Sequence, residues 1–378
     1  IQSKAALLGL SVPQATMDYA KVLARKDRVV GRLVKGLEAL FAEHKITIVK
    51  GQGIWNGDKT ISVKGEQFGF KKLIIATGSK PRDIPAIPFG GRILSSTEAL
   101  SLAALPKSML IVGGGVIGVE LATFFAIAGV KVSIVEMQNS ILPGVDPEAV
   151  ALVQKSLERK GVEFKVGLTV SACSNTAAGM NVILSNGEEL QAEYVLNAVG
   201  RQVDISALQN SPLKLTEKGY VEVNDRLETS VKDVYAIGDV TGITWLAHGA
   251  SYQGEIAAAN VCGQELRAKY HAVPACIFTL PEIAYVGKLS GNVSKAPLAL
   301  LGKMQAEGET DGFIKIYSEP KTGLVCGGLI VGPYASELLA EGTLSVALGL
   351  KLKDLEQIIR PHPTLSEIYS EAYLKTHQ

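Results

Sequence analysis

Cysteine is scarce and scattered. The 378 residues hold four, Cys173, Cys262, Cys276 and Cys326, with no Cys-x2-Cys pair and no metal-ligand spacing. A disulfide-built scaffold and a metal site are therefore not expected. The four thiols fit a reducing compartment and should pack as small buried apolar groups. A cytoplasmic location is expected, or the mitochondrial matrix in a eukaryotic source. An excess of either charge is also missing: 38 basic against 37 acidic residues leave a net charge of +1. Neither nucleic acid nor an anionic membrane is expected as a partner. The most apolar window, around 109–130, is interrupted by Glu120 and by glycines, unlike a membrane span. No signal-peptide pattern, internal repeat or low-complexity stretch is present. The chain opens at Ile1, so the sequence is silent on what came before. What remains is an ordinary globular composition, 47% apolar and 20% charged, long enough for two or three domains.

The stretch from Ser108 to Glu136 organises the rest. Met109 to Val112 is an apolar run suited to a strand buried on both faces. Gly113, Gly115 and Gly118 then give Gly-x-Gly-x-x-Gly. The first glycine makes the turn, the second lets backbone approach a pyrophosphate, and the third lets helix pack on strand. Free N–H groups at the helix start converge on the phosphates. Gly129 ends the helix, and Val130 to Val135 forms the next strand. Glu136 closes it, 18 residues after Gly118. An acid there can accept from the adenosine ribose and would repel a 2′-phosphate, which favours NAD over NADP. Glycine turns of this kind can also serve packing alone.

In chain order, residues 1–10 read as the end of a helix, and Thr16 as the cap of a long one reaching His44. Its apolar stripe includes Tyr19, Val22, Leu23, Val29, Leu33, Leu37 and Phe41. Ile46 to Val49 reads as a strand, Asn56-Gly57 as a hairpin turn, and Leu73 to Ile75 as another strand. Lys80 to Pro88 carries three prolines and reads as a linker. Ser95-x-x-Glu98 is a capping box, and Asp146-Pro147 opens a helix that Gly161 stops. Val162 to Val170 reads as one strand, Asn186-Gly187 as a turn, Tyr194 to Val199 and Val234 to Ile237 as strands. A helix follows over Ala247–Cys262. Beyond Pro274, strands (Phe313–Tyr317, Leu324–Val331) and helices (Ala335–Leu348, Leu352–Ile359) suggest an α+β tail.

Several motifs stand in order: Ile1-Gln-Ser-Lys4, Ala76-Thr-Gly-Ser79, Gly113 to Glu120, Ala198-Val-Gly-Arg201, Ala236-Ile-Gly-Asp239, Leu246-Ala-His248 and His362-Pro-Thr-Leu-Ser-Glu367. Together they resemble the flavin disulfide reductases across essentially the whole chain. The resemblance implies an α/β fold of two Rossmann-like dinucleotide-binding domains, the FAD one incomplete, plus a C-terminal α+β dimerisation domain. The implied boundaries are 1–80 with 204–271 for FAD, 81–203 for NAD, and 272–378 for the interface. It further implies FAD and NAD as cofactors, a homodimer, dihydrolipoamide as substrate, and docking on the lipoyl domain of a 2-oxo-acid dehydrogenase complex. Three features depart from the family. The redox Cys-x4-Cys and the first FAD glycine turn are not in this sequence, which starts as if just after the second redox cysteine. The stretch Val286 to Glu309 is short. Arg360-Pro361 stands where relatives commonly carry His-Ala.

His362 is the expected proton acceptor for a thiol, on the dithiol of the partner subunit if the resemblance holds. Glu367 would orient its ring, although Thr364-x-x-Glu367 is also a capping box. The His362-Pro363 bond is expected cis. Asp239, after Gly238, could hold flavin ribityl hydroxyls or simply cap a turn. The helix after it would aim its N-terminus, with Ala247 and His248, at the flavin. The resemblance adds Lys4 and Glu120 as an ion pair beside the flavin. It also adds Gly53, Thr77 and Gly78 as FAD contacts, and Val170 and Gly200 as NAD contacts.

Without Cys-x4-Cys, these 378 residues alone are expected not to oxidise dihydrolipoamide, and clear turnover would refute that. Glutathione reductase would need basic residues near Glu136, and mercuric reductase a C-terminal cysteine pair; neither is present. A non-catalytic fragment that binds NAD or dimerises is the other alternative, and a flavin absorption spectrum separates the two.

Overall fold

The structure is a computed structural model, and it describes residues 5, 7–11, 16–208 and 210–374. Two compact units result. One comprises residues 1–19, 83–200 and 271–378, the other 20–82 and 201–270.

The first unit contains a five-stranded all-parallel sheet. Its order is Ile93–Leu94, Tyr194–Asn197, Ser108–Val112, Lys131–Glu136 and Glu163–Val166. The helix Val116–Ile127 returns the chain from Ser108–Val112 to Lys131–Glu136. It is apolar nearly all round and buries Val119, Leu121, Ala122 and Phe125, as a covered crossover helix should. Asp146 caps the helix Pro147–Glu158, accepting from Glu148 N at 3.0 Å and Ala149 N at 3.2 Å. The box at Ser95 caps Ser96–Ala99 in the same way.

The run 162–170 is two strands, not one. Gly167, at φ 70°, ends Glu163–Val166, and Val170–Asn175 joins Met180–Leu184 and Glu189–Ala192 in an antiparallel sheet. The C-terminal portion of this unit is a five-stranded antiparallel sheet ordered Ala275–Ile277, Glu282–Gly287, Val325–Gly332, Phe313–Ser318 and Asn292–Pro297. The helices Ala335–Leu348 and Glu367–Leu374 pack on it. The helix expected to reach Ile359 stops at Glu356, ahead of Pro361. One core joins both sheets: Ile283, Phe313, Leu329 and Val331 lie with Phe125, Ile134 and Val153.

Ion pairs reinforce that junction. Lys315 Nζ lies 2.7 Å from Asp146 and 2.6 Å from Glu148, and the more exposed Lys295 reaches Glu148 at 3.0 Å.

The second unit holds a three-stranded antiparallel sheet, Gly53–Ile54, Thr60–Val63 and Glu66–Gly69. Asn56-Gly57 lies in its first connection, as expected, and Lys64-Gly65, both at positive φ, form its second. Leu73–Ile75 pairs in parallel with Val234–Ala236, and Ser79–Pro81 pairs antiparallel with Arg201–Val203. The expected linker at 80–88 therefore starts as a strand. Ile46 to Val49 is not a strand: no ladder partner receives it among the described residues, and Ile46, Ile48 and Val49 are exposed. The long helix runs Tyr19–Glu43, starting three residues beyond Thr16, and none of its residues is buried. The helix Ala247–Val261 closes the unit.

None of the cysteines is fully buried, contrary to expectation. Cys262 is exposed and the other three are half-buried. Cys262 sits at the cap of its helix, where the chain turns to solvent. Of the expected helix end at 1–10, Ala5 and Leu7 are helical and Leu8-Gly9 turn out of the helix, with Leu8 N and Leu10 N donating to Ala5 O, while residues 1–4 and 6 lie outside the described residues. Among the described residues no helix is long and apolar enough to cross a membrane, and no cluster of metal-ligating side chains occurs.

Candidate functional site

The glycine turn is built as its spacing requires. Gly113 sits at φ 109°, and a Cβ there would lie 2.4 Å from Ala198 O. A Cβ on Gly118 would lie 1.9 Å from Gly113 O, so helix and turn touch with no room between. Gly115 differs. Nothing lies within 4 Å of its missing Cβ, and it caps Val116–Ile127 without any side-chain acceptor. The uncovered N–H groups thus face open space, which suits an anion.

Glu136 is buried at the end of its strand. One carboxylate oxygen accepts from Gly114 N at 2.7 Å, the other from Gln138 N at 2.8 Å. A carboxylate has about four acceptor positions. The two bonds fix its orientation and leave capacity for hydroxyl donors. Val170 is half-buried at the start of its strand, and Gly200 is exposed at φ 114° beyond the end of Tyr194–Asn197. These residues fit a dinucleotide: an open glycine, an uncapped helix start and an anchored acid.

Glu120, on the first turns of the same helix, accepts from Phe278 N at 2.8 Å. Burial raises its carboxyl pKa, with the Phe278 N–H acting the other way. Lys4 lies outside the described residues, so the expected pair with Glu120 does too.

In the second unit, Gly238 at φ 73° turns the chain after Val234–Ala236. Gln253, fully buried on Ala247–Val261, accepts from Gly238 N at 2.6 Å and donates to Tyr270 at 3.0 Å. Asp239 accepts a short hydrogen bond from Ser79 Oγ. Arg201 donates from Nε to Ser79 Oγ and from Nη2 to Ser79 O, both at 2.7 Å. A chain of bonds thus runs Arg201, Ser79, Asp239. Thr77 is exposed and Gly78, at φ 68°, faces open space. Gly53 is half-buried, and a Cβ there would lie 3.3 Å from Ile61 Cγ2. Ala247 and His248 are exposed at the start of a helix that carries no side-chain cap. A half-buried carboxylate and an uncapped helix start suit a polyhydroxylated, electron-rich group such as a flavin.

His362 is an exposed ring whose Nδ1 is 2.8 Å from Glu367 Oε1. The other Glu367 oxygen accepts from Thr364 N at 2.8 Å, so orienting and capping coexist in one carboxylate. The His362-Pro363 bond is cis, as is Leu280-Pro281. The Thr364 N–H, then His362, lowers the Glu367 pKa. A depressed acid stabilises above its unfolded pKa and stops doing so as pH falls through its folded one. The Thr364 amide is therefore expected to keep its exchange protection below the ordinary glutamate pKa and to lose it as pH falls through the lowered one. In Glu367→Gln that acid step should vanish; hydrogen exchange followed by NMR checks both.

Sequence reasoning singled out neither Ser79 nor Gln253 as a site residue. Their partners lie 160 and 15 positions away, beyond any local pattern. Gln253 does not stand out in its helix, which carries polar residues throughout and buries Asn260 on the same face.

Fold and site together define a nucleotide-dependent disulfide oxidoreductase, and the chain belongs to the pyridine nucleotide-disulphide oxidoreductase family. Residues 3–254 match that family and residues 273–373 its dimerisation domain. Within it the chain is of the dihydrolipoyl dehydrogenase kind. It is 37% identical over 383 residues to the dihydrolipoyl dehydrogenase of Geobacillus stearothermophilus, covering 97% of this chain and 82% of that one. The Chlamydia pneumoniae dihydrolipoyl dehydrogenase is also 37% identical, over 380 residues, with the same coverage. Among solved structures, LpdA of Mycobacterium tuberculosis superposes with a TM-score of 0.91 at 26% identity, covering 99% of this chain and 86% of that one. The HOCl-induced flavoprotein disulfide reductase RclA of Escherichia coli gives 0.89 at 26% identity, covering 95% and 86%.

Proposed function

We propose that this chain provides the nicotinamide, flavin and proton-handling sites of dihydrolipoyl dehydrogenase chemistry. Residues 81–203 take NAD, 1–80 with 204–271 take FAD, and 272–378 join two copies. FAD and NAD, when bound, supply the passage of an electron pair from a dihydrolipoamide-reduced dithiol to the nicotinamide.

The protein's own part is positioning and proton transfer. Gly115 and the N–H groups of the helix behind it receive the pyrophosphate, flanked by Gly113 and Gly118. Glu136 accepts from the adenosine ribose, while Val170 and Gly200 line the nucleotide. Asp239 holds ribityl hydroxyls beside Gly53, Thr77, Gly78 and Gly238. The helix starting at Ala247 and His248 favours negative charge on the isoalloxazine. Lys4 and Glu120 stand at the sequence positions of the family's ion pair beside the flavin. His362 accepts the thiol proton at Nε2, since Glu367 keeps the proton of the neutral ring on Nδ1. The dithiol it serves belongs to the partner subunit, and the reducing substrate arrives on the lipoyl domain of a 2-oxo-acid dehydrogenase complex.

The observation that supports this reading best is the open Gly115 beside an acid already anchored to the turn. Calorimetric titration tests it. NAD is expected to bind at least about tenfold more tightly than NADP, because a carboxylate meets the 2′-phosphate. Equal affinity for the two, or preference for NADP, would sink the assignment.

A further inference from the structure

We propose that Arg360 is a positioning residue for the His362–Glu367 pair, tying the segment before the histidine to the helix that carries the glutamate. The proposal rests on the reading of that pair as the proton-handling site.

Arg360 departs from the family pattern, and its side chain is only 4% exposed. Its guanidinium faces Glu341 on Ala335–Leu348 through both Nε and Nη2, the Nε bond at 3.4 Å. Nη1 donates to Ile358 O at 3.1 Å and to Ser370 Oγ at 3.0 Å. Nη2 also reaches Leu355 O at 3.4 Å. The plane lies over Tyr373 at 5.4 Å and Tyr369 at 5.9 Å. Three helices therefore meet on one group: Ala335–Leu348, Leu352–Glu356 and Glu367–Leu374.

The sequence spacing gives this clamp its direction. Arg360 lies two residues before His362, and Ser370 lies one turn beyond Glu367 on the same helix. Fixing Arg360 to Ser370 fixes both ends of the five-residue span that closes through the Nδ1 bond. Among the described residues, Glu367 is the hydrogen-bond partner of the imidazole. An exposed ring held by a single carboxylate keeps its tautomer only while that carboxylate stays in place. A lysine at 360 would keep the charge and lose the planar fork that reaches three helices at once.

The ring tautomer is the discriminating measurement, because a merely structural role would not move it. The sequence holds five histidines, so long-range proton–nitrogen spectra of the 15N-labelled chain resolve each ring, with His362→Gln giving the assignment. The wild type should hold neutral His362 as the Nδ1–H form. Glu367→Gln and Arg360→Lys should each move the ratio toward Nε2–H by at least about tenfold. Glu341→Gln, which keeps the shape and removes the charge, should move it the same way, and it decides the matter if Arg360→Lys does not fold. If Glu367→Gln shifts the tautomer while both other variants keep it, Arg360 is only a structural clamp and the proposal falls. If Glu367→Gln leaves the tautomer unchanged, the reading of the pair falls as well.

Discussion

Gly115→Val is expected to weaken NAD binding at least about a hundredfold, a loss of some 2.7 kcal/mol, while the protein still folds. Space decides this. Around Gly115 nothing lies within 4 Å of the added carbon, so the folded chain accommodates valine, and its melting temperature should stay within about 2 °C. The branched side chain would instead fill the approach to the uncapped helix start. Three residues on, the opposite holds. A Cβ at Gly118 would lie 1.9 Å from Gly113 O, a backbone atom that cannot swing aside. Gly118→Ala must push helix from strand and should cost about 1–3 kcal/mol or more, with NAD binding lost as a consequence. Calorimetry with NAD and thermal melting, run on both variants, separate a blocked cradle from a broken one. A Gly115→Val protein that binds NAD normally would place the nucleotide elsewhere.

Lys315→Met should cost about 3 kcal/mol. The side chains of Lys315 and Asp146 are 11% and 10% exposed, and Tyr317 also approaches the carboxylate at 3.4 Å. Burial pulls the lysine pKa down, but Asp146 and Glu148 outweigh it and leave the pKa raised. Removing the ammonium strands a buried carboxylate that also caps a helix. Adding Asp146→Asn should recover part of the loss, because asparagine caps nearly as well and carries no charge. Lys295 provides the control. It pairs with Glu148 from a side chain that is 44% exposed, so Lys295→Met should cost less than about 1 kcal/mol. Urea unfolding of the three variants gives the comparison, and equal losses for the two lysines would refute the argument.

Elements whose information is local were legible in the sequence. The helix Ala335–Leu348 falls on its expected bounds, and the caps at Ser95 and Asp146 form the expected bonds. The parallel core was legible because Met109–Val112 is apolar throughout and Val130, Val132, Ile134 and Val135 are apolar and buried around the exposed Lys131. What depends on a distant partner was not. Ile46–Val49 has strand composition but no neighbour to pair with among the described residues. The run 162–170 has one composition and serves two sheets, because a glycine at positive φ redirects it. The edge strand Asn292–Pro297 alternates faces but contains Pro297, which hid it. At the site, the glycine turn and the His362–Glu367 spacing are short-range patterns and could be read directly. Ser79, Gln253 and Arg360 owe their places to contacts between elements, and no pattern of spacing announces those.

The bond from Phe278 N–H to Glu120 has a mechanical corollary. Glu120 stands little more than one helical turn from Gly115, and Phe278 lies near the start of the portion, 273–373, matched to dimerisation. Whatever grips the front of that helix tugs on the scaffold through which two copies join. Thermodynamic reciprocity then sets a symmetric obligation: if assembly tightens the grip on a nucleotide, the nucleotide strengthens assembly by the same factor.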